Sequence, residues 1–151
     1  MALLGNVIWF IFGGVIAGIF WALVGVIAFC TIIGIPWGRA CFTLANFTFF
    51  PFGRTVISRK DLTGKGDVGT SGFGTVGNII WFILAGWWLA LLHIISGITT
   101  CCTIIGIPFG IQHFKLAGAA LLPIGKTVVD KYVAEAAHIK NAEEKISTIR
   151  S

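Results

Sequence analysis

Charge is what this sequence lacks first. No charged side chain occurs between Met1 and Gly38, and Arg39 is the first in the chain. Charged residues make up 11% of the 151 residues and hydrophobic residues 56%, where a soluble domain carries about 25% charged residues. An ordinary water-facing surface is therefore excluded, and lipid is the expected solvent. A secretory leader would need basic residues ahead of a short apolar core, then a small-residue cleavage site. The N-terminal run has no such basic start and is too long, so it is expected to belong to the mature protein.

Acids are the second absence. Neither apolar region contains an Asp or Glu, and no Ser–His–acid or paired-carboxylate arrangement is visible. General acid–base chemistry needs positioned titratable groups, so an intramembrane enzyme is the weakest reading. The four cysteines, Cys30, Cys41, Cys101 and Cys102, form no CxxC pair and have no partner at metal-ligand spacing. They are expected to be small packing residues, with no disulfide, metal or cofactor. Lys and Arg are not clustered with interleaved aromatics, which argues against a nucleic-acid partner.

What is present is a repeat. Thr31-Ile32-Ile33-Gly34-Ile35-Pro36 returns letter for letter as Thr103-Ile104-Ile105-Gly106-Ile107-Pro108. Around it, Gly5–Val56 aligns without a gap on Gly77–Val128, 72 positions later, with 23 of 52 pairs identical. One membrane module is written twice.

Each module is long enough for two helical arms. Gly34 with Pro36, and Gly106 with Pro108, are the predicted turns, because proline cannot continue a helix interior and its predecessor is pushed from helical angles. The first arm is predicted at about 7–29 and the second at about 37–52, with 109–124 its counterpart. The second arm is about 24 Å long at 1.5 Å per residue, short of a ~30 Å hydrocarbon core. It either spans obliquely, lies in the interface or re-enters. The basic linker and basic tail should both be cytoplasmic by the positive-inside rule, which favours four short spans with both termini inside and parallel repeats. The expected fold class is thus an all-α integral membrane protein of two tandem helical hairpins plus a C-terminal amphipathic helix. Its expected segments are 1–56, 57–76, 77–128 and 129–151.

Polar residues inside the arms are the candidate functional positions, since such groups are costly in lipid. They are Asn6, Asn78, His93, His113 and Lys115. Asn6 and Asn78 correspond and read as helix N-caps or interhelical contacts. Trp21 is replaced by His93, and Cys41 by His113. His93 is either a neutral histidine bonded to a neighbouring helix or a pore or proton site. Lys115 can snorkel to the interface. Gly14-x-x-x-Gly18 allows close helix approach.

The linker contains Gly64-Lys65-Gly66-Asp67-Val68-Gly69, a match to G-x-G-x-x-G without the strand and helix that a nucleotide fold requires; a flexible loop is expected. In the tail, Ile139, Ala142, Ile146 and Ile149 fall at helical spacing, which predicts an amphipathic helix on the cytoplasmic side.

The string from Gly86-Trp87-Trp88-Leu89-Ala90-Leu91-Leu92-His93-Ile94 through Ile104-Ile105-Gly106-Ile107-Pro108-Phe109-Gly110-Ile111 to Leu122-Pro123-Ile124-Gly125 resembles the YccF family of bacterial inner-membrane proteins. The first module is a looser copy. The resemblance implies a multi-pass inner-membrane protein and brings no substrate, reaction or catalytic residue.

Two functions fit these observations. A homo-oligomeric channel or pore for small ions would use the in-membrane polar residues. A non-conducting scaffold would recruit partners or anionic membrane lipids through the basic linker and tail. The expectation leans to the channel.

Overall fold

The computed structural model describes residues 2–150. Each repeat is a long helix, a tight turn, a shorter helix and a strand. The first repeat comprises α1 (Ala2–Cys30), α2 (Ile35–Phe49) and β1 (Arg54–Ser58). A short helix, α3 (Arg59–Thr63), follows. The second repeat comprises α4 (Gly72–Cys101), α5 (Ile107–Leu121) and β2 (Lys126–Asp130), and the chain ends in α6 (Lys131–Arg150).

The turn between arms is built identically twice. The Thr31 hydroxyl donates to the Ala28 carbonyl and accepts from the Gly34 N–H; Thr103 does the same with Thr100 and Gly106. The threonine hydroxyl and the glycine N–H of each tip are thus bonded within the chain. No Cβ fits at Gly34 or Gly106, because carbonyl oxygens of the preceding helix already stand there. Pro36 and Pro108 lie in the first turn of the second arm, where a missing N–H costs nothing.

The fold is not all-α. After Phe49 and Leu121 the chain turns through Gly53 and Gly125, whose φ of +81° and +84° suit glycine. It then enters β1 and β2, which pair antiparallel with Val56 opposite Val128. These strands straddle the expected boundaries at 56/57 and 128/129. The expected loop is ordered too: α3, an Asp67–Thr70 capping box and the start of α4 at Gly72 occupy it.

The second arms of the two repeats pack against each other. The Phe52 ring, past the end of α2, meets Phe109 at the start of α5 (5.4 Å, edge-on). At the other end, Trp37 at the start of α2 donates to the Gly77 carbonyl (3.1 Å), and Gly77 abuts Ile124 past the end of α5. Between them, Cys41, Leu44 and Ala45 share a core with Ala119 and Ala120, and Phe47 with Leu116. The second arms therefore run antiparallel, and the two hairpin tips point opposite ways. Since position 56 pairs with position 128, its own counterpart, the ribbon marks a pseudo-twofold axis.

Length bears on the expected four spans. Two helices, α1 with 29 residues and α4 with 30, are long and apolar enough to cross a membrane. The second arms have 15 residues, about 22 Å. Both long helices carry a π turn at the same place, Phe10–Gly14 and Phe82–Gly86, and α1 bends there at Gly13. In α6 the expected apolar stripe finds no cover: Ile139, Ile146 and Ile149 are exposed, and Ala134 is the residue buried against the body. Asn141 fastens the helix to the Asp61 carbonyl (2.8 Å).

Candidate functional site

The polar positions divide into structural fasteners and one unusual pair. Asn6 and Asn78 lie inside their helices, so neither is an N-cap. The Asn6 side chain donates to the Phe52 carbonyl (3.1 Å) and accepts from the Phe52 N–H (2.9 Å). Asn78 makes the same two bonds with Ile124, each 3.0 Å. Each amide thereby replaces a missing backbone partner where the second arm ends, and both Asn side chains are committed. The tryptophans one turn on complete the clamp: Trp9 donates to the Thr48 carbonyl (2.6 Å) and Trp81 to the Ala120 carbonyl (2.8 Å).

Lys115 is committed as well. Its ammonium reaches the Gln112 side-chain oxygen (2.9 Å) and the Arg54 carbonyl at the start of β1 (3.5 Å). The stem thus carries the charge out of the helical layer to the ribbon. Gly14 and Gly18 serve intrachain packing: the Trp9 indole and the Phe49 ring occupy the space their side chains would need.

His93 and His113 are brought together. Their Nδ1 atoms lie 3.3 Å apart, so one ring donates and the other accepts. Trp9 closes the pair, its ring 5.0 Å from His113, and the group borders a cavity of about 380 Å³ with Phe12, Thr100 and Phe109. The pseudo-twofold axis takes this cluster onto Trp21, Cys41 and Trp81, which are buried in an apolar core. The same architectural position is solid hydrocarbon in one half and a histidine pair beside open space in the other. Sequence alignment of the modules shows both substitutions, and the packing of α4 on α5 within one hairpin brings them into contact.

A second feature has no signature in the sequence. A cavity of about 540 Å³ opens between α2, the start of α4 and the ribbon, with Arg39, Arg59 and Lys126 on its border. Arg59 is fixed by Asp67, its Nε 2.5 Å from one carboxylate oxygen and its Nη2 3.0 Å from the other. That guanidinium, helped by the Thr70 N–H, holds the Asp67 carboxyl well below the usual carboxylate range. Among the described residues no group of three or more metal-ligating side chains occurs.

Comparison with known proteins decides the lineage. The model of the inner membrane component domain YccF matches twice, at residues 4–54 and 76–126. The chain belongs to the YccF family. It is 39% identical over 142 residues to inner membrane protein YccF of Escherichia coli (strain K12), covering 93% of this chain and 95% of that protein. The inner membrane protein YccF of Shigella flexneri matches equally, at 39% identity over the same shares. No solved structure matches. The two family matches coincide with the two halves of the pseudo-symmetric body, each ending at its strand. The protein is thus a two-domain YccF protein of the bacterial inner membrane.

Proposed function

We propose that this YccF protein is a non-conducting membrane scaffold, embedded from the cytoplasmic face, that holds a basic surface against anionic lipid. The antiparallel packing of α2 and α5 supports this most directly. Were α2 to run along the membrane normal, antiparallel α5 would too, and the tips would emerge on opposite sides. The basic ends of the two repeats would then be separated by the bilayer, yet β1 and β2 form one ribbon. An orientation with the pseudo-twofold axis along the membrane normal puts ribbon, linker and tail together at one surface. It leaves both tips in lipid.

The tips suit that placement. Ile32, Ile33, Ile104 and Ile105 are 82–88% exposed from the protein, and no charge lies in either turn. Linker and tail carry most of the Lys and Arg, and polybasic surfaces at a membrane gain about 1 kcal/mol per residue from anionic lipid. The positive-inside rule assigns that surface to the cytoplasm. A pore is supported less well, because Asn6, Asn78 and Lys115 spend their polar atoms on the fold. The experiment is paired: flux through reconstituted protein, and binding of vesicles with and without phosphatidylglycerol. No ion flux together with preference for phosphatidylglycerol is expected. Conductance that His93→Leu alters would overturn the scaffold in favour of a pore built from several copies.

A further inference from the structure

The 540 Å³ cavity has a pseudo-symmetric counterpart, and the two have been treated differently. On the counterpart side, Gln112 and Lys115 bond to each other across the corresponding wall, and Lys115 reaches the Arg54 carbonyl. On the cavity side, the equivalent positions are Ala40 and Thr43, and the position of Ile111 is Arg39. Two long side chains have become short, and one apolar side chain has become cationic. The wall opposite is built from the 68–74 segment, which contributes Val68 and Phe73. Short side chains at Ala40 and Thr43 thus border the cavity.

Its chemistry is amphiphilic. Ile35, Ile80 and Ile124 offer apolar surface, while Arg39, Arg59 and Lys126 border it and no carboxylate lines it. Arg39 is exposed and makes no side-chain hydrogen bond or ion pair among the described residues. Arg59 is held in place by Asp67, so the site has one positioned and two free cations. Burying an unpaired guanidinium against hydrocarbon is unfavourable, and a phosphodiester supplies the paired acceptors that match its fork.

We propose that this cleft is a dedicated site for one anionic phospholipid, with the phosphate between Arg39 and Lys126 and an acyl chain along Ile35 and Ile80. The proposal rests on the membrane-surface reading above and adds to it a single saturable site.

Native mass spectrometry of the detergent-solubilised full chain, titrated with phosphatidylglycerol and separately with phosphatidylcholine, tests it. One phosphatidylglycerol per chain should bind ahead of all others. Arg39→Gln should weaken that first binding about fivefold, as expected for one cation near an anionic headgroup. Ala40→Gln with Thr43→Lys copies the filled counterpart and adds charge; it should abolish the first binding step while leaving weaker later ones. Unchanged first-step binding in both variants would overturn the cleft. Preference for phosphatidylglycerol vesicles surviving in both variants would leave the surface reading standing alone. Loss of that preference in the wild type would sink the surface reading itself.

Discussion

Val56 pairs with Val128 across the ribbon, and the two are the same position of the two repeats. From that one pairing the rest of the relation follows: Arg54 faces Asp130 and Ser58 faces Lys126, in a register symmetric about its centre. The two hairpins are tied by a strand exchange in which neither repeat completes its sheet alone.

The asparagine clamps should carry stability. Each closes two hydrogen bonds to the chain just past a helix end. Asn78→Leu leaves the Ile124 N–H and carbonyl without partners and is expected to cost about 1–3 kcal/mol, as is Asn6→Leu at Phe52. Unfolding in mixed micelles measures this. Ion permeability, in contrast, should not respond.

The histidine pair and its apolar counterpart should be interchangeable as units. His93→Leu leaves His113 without its 3.3 Å partner and should destabilise by about 1–3 kcal/mol. His93→Trp with His113→Cys imports the opposite half's solution and should fold with a smaller loss than the sum of the single changes. A coupling of about 0.5–3 kcal/mol in a double-mutant cycle is the expected reading.

Gly53 and Gly125 turn each second arm into its strand at positive φ. Ala at either should cost about 1–2 kcal/mol, because a Cβ disfavours left-handed backbone. Loss of hydrogen-exchange protection confined to the ribbon would report it.

The linker should loosen in acid. Asp67 has its carboxyl held below the usual range by Arg59, so its contribution is present above about pH 4, the unfolded value. The contribution is lost as pH falls toward the folded value. Limited proteolysis within 59–70 should therefore accelerate on acidification below that point. Asp67→Asn should cleave readily at every pH.

The readable part of this fold was local. The 72-residue offset, the Thr-Ile-Ile-Gly-Ile-Pro tip and the helical character of both arms follow from spacing and steric rules that act within a few residues. Two things were hidden. Arg54–Ser58 and Lys126–Asp130 are too short and polar to announce themselves as strands, and each becomes one only by finding the other. The antiparallel packing of the second arms was hidden for a related reason, since apolar arms pack equally well parallel or antiparallel by composition. Only contacts such as Phe52 on Phe109 select the sense. The candidate site divided likewise: His93 and His113 stood out as exchanges between modules, whereas Ala40 and Thr43 did not, because what matters at those positions is the side chain that is missing.

The most direct test of the one-sided arrangement is thiol accessibility in a cysteine-free background, with single cysteines at Ile33, Ile105, Lys65 and Lys145. Membrane-impermeant maleimide should label positions 65 and 145 from the cytoplasmic side only, and neither tip from either side. Labelling of the tips at positions 33 and 105 from the periplasm would contradict the account and establish hairpins that cross the membrane side by side.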